Sequence, residues 1–295
     1  MRILSIGECM VEMAPASQSD QFKMSFAGDT LNTAWYLNRA QPNWTVDYLT
    51  AIGTDSASQN MVSFLKAAGL GADDLIQVPD RTIGLYMIEL ADGERSFSYW
   101  RSQSAARLLA ADPSALDARI KNRDMIYFSG ITLAILEGQG RGNLMSALGK
   151  ARATGTTIVF DPNLRPKLWD SLDVMCDEVM QAATVSDIVL PSHDDEATFF
   201  GDKDPRATVD RYLSQGAKTV VGKNGEGEIL YTHQGKTGVV HPNKITAIVD
   251  TTAAGDSFNA GFLAHLPDGN IEAAILAGCD LAGKVICGRG ALVPV

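Results

Sequence analysis

Residues 250–262 read DTTAAGDSFNAGF, a polar, glycine-containing turn that runs straight into a helical pattern. Thr251 and Thr252 suit a cap or turn, Ala253 and Ala254 leave the backbone uncovered, and Gly255 permits close approach. The N–H groups of residues 253–256 are then expected to face an anion at the positive end of a helix dipole. Asp256 puts a carboxylate in the same place, where it would take a proton from a hydroxyl as that oxygen attacks phosphorus. Phe258, Ala260, Gly261, Phe262, Leu263 and Leu266 give the helix an apolar face that seats it on a core. A plain helix cap at Asp256 within a tight turn is the structural alternative, and the thirteen residues together favour a phosphoryl site.

Working outward, strand and helix patterns alternate, which predicts an α/β fold with a parallel sheet covered on both faces. The strand patterns fall at Ile3–Ile6, Val46–Ile52, Met125–Phe128, Thr157–Phe160, Ile188–Leu190 and Thr219–Val221. Helical stretches lie near 30–39, 57–68, 138–153, 170–183, 193–200 and 206–214, with Gly69, Gly155 and Gly216 as stops. Two segments break the rhythm. Residues 82–101 read as two strands joined around Asp92-Gly93, and residues 10–26 also read as extended. No repeat, low-complexity tract or flexible linker interrupts the 295 residues, so one domain is expected over 1–295.

Composition narrows the function classes. With 45% hydrophobic and 20% charged residues the chain can bury a large core. A net charge of −10 without any run of Lys or Arg argues against nucleic acid, so an anionic substrate must be drawn by individually placed cations. Cys9, Cys176, Cys279 and Cys287 show no CxxC pair, which suits a reducing cytoplasm and a role as core filler. The strand-like MRILSIGE opening and the lack of a long apolar stretch predict a soluble, cytoplasmic protein without membrane contact.

The motif DTTAAGD closely resembles the C-terminal signature of the ribokinase-like, or pfkB, carbohydrate kinases, DTTGAGD followed by a helix. Ala253 stands where that pattern has glycine, and the alanine form is similar to the 2-keto-3-deoxygluconate kinase branch. The resemblance runs almost end to end. It implies a ribokinase-like doubly wound fold, a mainly parallel sheet with helices on both faces and a small β-sheet lid. The lid strands would come from about 10–28 and 82–103. It also implies ATP and Mg2+, leaves room for a monovalent cation, and makes a homo-oligomer paired through exposed lid strands an expectation.

Further site residues follow motif by motif. AGDTLNTA at 27–34 precedes a helix; Gly28, Asp29 and Asn32 match family positions that meet sugar hydroxyls, although Asp29-Thr30 would equally cap the helix. In the hairpin, alternation puts Tyr99 and Arg101 on one face, and a guanidinium beside a phenol suits a carboxylate. The resemblance adds Tyr86 as a third substrate contact there, against surface packing as the plain alternative. FDPNLRPKLW at 160–169 follows a strand and gathers Asp161, Asn163, Arg165 and Lys167 at its C-terminal end, where open sheets bind ligands. The family places this stretch between sugar and nucleotide, so Arg165 becomes the second cation and Asn163 a nucleotide-side contact.

LPSHDDE at 190–196 occupies the place of an Asn-x-x-Glu pattern that organises Mg2+ and its waters. Ser192 and Asp195 match it, with Glu196 adjacent, so Asp195 or Glu196 would reach the metal through water and the direct ligand stays unassigned. His193 reads as a helix-start residue. VGKNGEGE at 221–228 has no GxxxxGK[ST], which excludes a P-loop. The family uses this loop for ATP, which points to Lys223, Gly225 and Gly227, and Gly278 with Cys279 lies on a helix beside the adenine in the relatives. Packing alone would also account for Gly278.

These residues together predict transfer of the ATP γ-phosphate to the terminal hydroxyl of a sugar acid, with Asp256 as base, Gly255, Ala254 and Ala253 as the anion hole, and Arg101 and Arg165 on the acid. Fructokinase or ribokinase chemistry is the alternative within the family. A non-catalytic sugar or nucleotide sensor is the alternative outside it.

Overall fold

A computed structural model describes residues 1–16, 21–91 and 94–295. In chain order the elements are β1 (Arg2–Ile6), β2 (Met10–Pro15), β3 (Phe22–Ala27), α1 (Asp29–Ala40), β4 (Thr45–Leu49), β5 (Ala51–Ile52), α2 (Ser56–Ala67) and β6 (Ile76–Gln77). There follow β7 (Leu85–Ala91), β8 (Glu94–Trp100), α3 (Pro113–Ile120), β9 (Met125–Ser129), α4 (Gly130–Ile135), α5 (Gly140–Ala153), β10 (Thr157–Asp161) and α6 (Leu172–Thr184). The chain continues through β11 (Ile188–Val189), α7 (His193–Phe200), α8 (Pro205–Ser214), β12 (Thr219–Gly222), β13 (Ile229–His233), β14 (Lys236–Val240), α9 (Ala254–His265) and α10 (Ile271–Ile286).

The main sheet has the order β14-β13-β12-β11-β10-β9-β1-β4 among the described residues. It is parallel from β4 to β12, and β13 and β14 close one edge antiparallel. Side-chain alternation sorts its strands into two cores. Ile3, Met125, Tyr127 and Val159 pack on α1, α2, α9 and α10 through residues such as Leu31, Leu65, Phe262 and Ile275. Their neighbours Leu4, Ile126, Phe128 and Phe160 pack on α3 to α6 and α8 through Leu116, Leu133, Leu148, Val179 and Tyr212. Apolar runs without polar alternation are thus buried on both faces, the doubly wound arrangement expected of a parallel sheet.

The glycine stops act as the sequence predicts, and side-chain caps mark the helix starts. Asp55, Asp112, Asp204 and Asn270 cap α2, α3, α8 and α10 with side-chain oxygens, and Gly69, Gly155 and Gly216 take positive φ after α2, α5 and α8. Three features differ. The strand expected over Val46–Ile52 breaks at Thr50, because β5 leaves the main sheet to pair with β6. The β13–β14 hairpin turns on Gln234 and Gly235, both at positive φ, a primed turn without an Asn-Gly or Asp-Gly signal. Asp29 does not cap α1; Gly28 is its N-cap residue, with no side-chain cap.

A second sheet has the order β3-β2-β7-β8, with β7 and β8 antiparallel. The expected turn at Asp92-Gly93 lies outside the described residues. This sheet stands over the C-terminal ends of β1 and β9, and so frames one end of the cavity described next.

Candidate active site

A cavity of about 790 Å3 follows the C-terminal ends of the parallel strands from β1 to β12 and on to β13. At one end stand Glu8, Tyr86, Tyr99 and Arg101; at the other Lys223, Gly225, Asn243, Cys279 and Ile286. The 251–256 loop and Asp161 lie along it as well.

Asp256 sits in the first turn of α9, three residues after the N-cap residue Ala253. Its Oδ2 accepts from Asn32 Nδ2 at 2.8 Å, and its carbonyl accepts from Thr33 at 3.2 Å, which ties α9 to α1. Ala253 holds φ 61°, the left-handed conformation that glycine adopts without a Cβ penalty. Ala254 N–H is spent on the Thr251 carbonyl at 3.2 Å, so it leaves the expected set of anion-hole donors, which narrows to Ala253, Gly255 and Asp256. A Cβ added at Gly255 would come into ordinary contact with the Lys223 ammonium at 3.8 Å, so the two residues face each other on the cavity wall. Asp250 organises the loop: Oδ1 accepts from Thr252 N–H and Oγ1, and Oδ2 from Gly290 N–H at 2.6 Å. Thr251 and Thr252 therefore do not cap α9 themselves.

Three carboxylates line the middle of the cavity, each held by a carboxamide. Asn32 donates to Asp256, Asn163 Nδ2 to Asp29 at 2.9 Å, and Asn259 Nδ2 to Asp161 at 2.7 Å. Lys223 Nζ is 3.4 Å from Asp161 and 3.2 Å from Asn259 Oδ1. Burial first, and then the neighbouring Asp29 and Asp161 charges, push Asp256 up to about 8. Asp29 is raised too, mainly by burial. Perturbed carboxylates gathered in one cleft are a feature that functional sites share. Gly28 serves by close approach, since a Cβ there would meet the Glu8 carbonyl at 2.1 Å.

At the small-sheet end the rings of Tyr86 and Tyr99 lie 5.9 Å apart. Tyr86 is nearly buried and donates its hydroxyl to Glu12, so it offers its ring rather than a free donor. Arg101 is not a free cation: Glu8, itself 2% exposed, is ion-paired with it. Arg165 is looser, with Nη1 bonded to the Leu164 carbonyl and 3.6 Å from Asp195.

Some expected residues fall elsewhere. Glu196 points away from the cavity into a buried pair with Arg211, and Tyr212 donates to it at 2.9 Å; burial pushes its carboxyl up to about 7. It therefore cannot serve a metal, because α7 turns Asp195 and Glu196 to different sides. Gly227 closes the 224–227 turn on Asn224 and does not line the cavity. Gly278 is a packing glycine, where a Cβ would meet the Phe258 carbonyl at 2.8 Å and part α9 from α10. Ser192, Asp195, Lys223, Gly225 and Cys279 do line it. Sequence reasoning missed Glu8 and Asn259, although Asn259 stands inside the quoted motif.

Among the described residues no cluster of three or more His, Cys, Asp or Glu is arranged to hold a metal. Mg2+ bound largely by waters and nucleotide phosphates needs fewer protein oxygens, and the half-exposed Asp195 fits that demand.

The sheet order and the small second sheet make a doubly wound α/β domain, and a carboxylate at a helix start in its strand-end cavity suits a phosphoryl-transfer kinase. The pfkB family carbohydrate kinase profile matches residues 1–295, and the chain belongs to that family. It is 39% identical over 300 residues to the 2-dehydro-3-deoxygluconokinase of Haemophilus influenzae, covering 99% of this chain and 95% of that one. It is 38% identical over 303 residues to the Escherichia coli protein of that name, covering 99% and 97%. Among solved structures, the 2-dehydro-3-deoxygluconokinase of Thermotoga maritima superposes with TM-score 0.87 at 20% identity, covering 100% of this chain and 96% of that one. The Xylella fastidiosa fructokinase with bound ATP gives 0.81 at 21%, covering 98% and 93%. Among the described residues no helix is long and apolar enough to cross a membrane.

Proposed function

We propose that this chain phosphorylates 2-keto-3-deoxygluconate, the 2-dehydro-3-deoxygluconate of its relatives' names, at the terminal hydroxyl. ATP is the donor, and the products are 2-keto-3-deoxy-6-phosphogluconate and ADP. The observation that carries the reading is the Asp256 carboxylate, fixed by Asn32 at the start of α9 inside the cavity. Asp256 takes the proton of the attacking hydroxyl, and the N–H groups of Ala253, Gly255 and Asp256 stabilise charge on the transferring group. Lys223, held at Asp161 and Asn259, lies across from Gly255 and supplies the cation for the phosphates. Mg2+ would be held by ATP oxygens and waters, with Asp195 and Ser192 as the nearest protein groups, and would neutralise phosphate charge.

Asp29 and Asn32 meet the sugar hydroxyls, Asn163 holds Asp29 from the nucleotide side, Tyr99 and Tyr86 pack the sugar's carbon chain, and Arg165 takes its acid group. The small sheet acts as the lid. Its exposed Phe22, Met24, Phe97 and Trp100 support pairing of two chains, and four free cysteines support a reducing cytoplasm. A monovalent cation is a further addition to test in the assay. Mg2+-dependent ADP release is measured with 2-keto-3-deoxygluconate beside fructose, ribose, adenosine and gluconate. A kcat/KM about a hundredfold higher for the ketodeoxy acid is expected; this corresponds to roughly 2.7 kcal/mol of discrimination. Fructose or ribose winning would discard the acid site.

A further inference from the structure

Resting on the phosphoryl-transfer reading, we propose that Asn259 is a positioning residue for Lys223. Its side-chain amide serves Lys223 and Asp161 at once, keeps the ammonium from closing onto that carboxylate, and leaves it turned to the phosphates of the nucleotide. Asn259 stands three residues after Asp256 on α9, so the two lie on one side of the helix, about a turn apart. It is fully buried and has no place in the cavity wall, whereas Asp161 and Lys223 both line the cavity. Asn259 therefore touches no ligand itself and acts through Lys223.

Both polar atoms of the amide are used. Nδ2 donates to Asp161 Oδ2 at 2.7 Å and to the Tyr127 hydroxyl at 3.0 Å, and Oδ1 accepts from Lys223 Nζ at 3.2 Å. An ammonium can only donate and an ionised carboxylate can only accept, so an amide turned this way serves both, which neither Leu nor Asp does. Tyr127, 1% exposed, fixes that orientation from behind. Lys223 Nζ stays 3.4 Å from Asp161 Oδ2, beyond the about 2.7–2.9 Å of a close charged pair, and the same oxygen already takes the shorter bond from Asn259. Among the described residues the ammonium has no third hydrogen-bond partner, and its remaining N–H is left for the cavity side, where Gly255 stands. Without the amide, a buried Asp161 deprived of its best donor would draw the ammonium into a close pair, which a phosphate would then have to break.

Equilibrium binding of ATP and of AMP is measured by calorimetry with Mg2+ and without sugar, on the wild type, Asn259→Leu, Lys223→Met and the double variant. Asn259→Leu is expected to bind ATP roughly tenfold more weakly and AMP within about twofold of the wild type, because AMP lacks the terminal phosphates. In the Lys223→Met background the same change should alter ATP affinity by no more than about twofold, since Asn259 acts through Lys223. A merely structural asparagine would weaken both nucleotides alike, or cost as much with Lys223 gone; either result, or unchanged ATP binding, overturns the proposal. Should Asn259→Leu fail to fold, Asn259→Asp decides, because it keeps the size, gives up the N–H groups and adds a second carboxylate that holds the ammonium back. ATP bound roughly tenfold more weakly, with AMP within about twofold, supports the proposal. ATP affinity kept within about twofold, or an equal loss for AMP, overturns it. A wild type that binds no ATP removes the phosphate site and the proposal with it. No turnover is involved, so a wild type that binds ATP but leaves the ketodeoxy acid unphosphorylated refutes the substrate reading alone.

Discussion

At the residue scale the account turns on Asp256. Its carboxyl is pushed up to about 8, by burial first and then by the charges of Asp29 and Asp161. A base works only when deprotonated, so kcat/KM for the sugar acid should fall tenfold per pH unit below about 8. A flat profile between pH 6 and 8 would contradict this. Stability should run the opposite way. A carboxyl raised in the folded state binds a proton that the unfolded chain has lost, so ionising it opposes folding as pH rises from 3.8 to about 8. Asp256→Asn removes that burden, and its Tm should exceed the wild-type value more at pH 8 than at pH 5. Arg165 tests the acid end: Arg165→Ala should raise KM for the ketodeoxy acid about tenfold with kcat little changed. An unchanged KM would move the acid group elsewhere. Asp256 was legible because its whole setting is local, a turn, a glycine and a helix start in thirteen residues. Glu8 was not, since its partner Arg101 and its neighbour Ser104 come from the distant chain just after β8. Asn259 was hidden although it stands in the motif, because only the fold brings it to Asp161, 98 residues away.

At the element scale the helix start is held from outside. Asp250 ties Thr252 to Gly290, and so joins the 251–253 loop to the chain after α10. Asp250→Ala would leave these three part-buried donors without their acceptor, at a summed cost of about 2–3 kcal/mol. Tm should drop by roughly 5 °C for a chain of this size, with KM for ATP raised because the loop loosens. An unchanged Tm would mean the loop is set by other contacts. The sequence made a turn at 251–255 plain but not its geometry, since Ala253 holds a left-handed φ that alanine seldom adopts alone. α7 gives a similar lesson. The resemblance put a Mg2+ neighbourhood at Ser192, Asp195 and the adjacent Glu196, and helical rotation sends Glu196 to Arg211 while Asp195 stays at the cavity. The β5 break at Thr50 escaped notice because apolar residues continue through it, and periodicity cannot say which sheet a strand joins.

At the scale of the whole molecule, the alternating burial of one parallel sheet fixes where its strand ends open, and every residue of the proposed chemistry stands along that line. This much was legible from strands read in order, because both faces of a parallel sheet must be buried and its loops must then carry the site. Because periodicity says nothing of a partner, pairing of two copies through the small sheet came only as what the resemblance implies. If its exposed aromatic and methionine side chains pair two chains, light scattering should give a dimer mass, and Trp100→Glu with Met24→Glu should halve it. A monomeric wild type would remove that pairing. The central claim is tested most directly by kcat for ADP release with saturating 2-keto-3-deoxygluconate, comparing wild type with Asp256→Asn. The account predicts ready turnover in the wild type, and in the variant a roughly 10²- to 10⁴-fold loss of kcat with sugar affinity retained. A variant turning over at nearly the wild-type rate would contradict it.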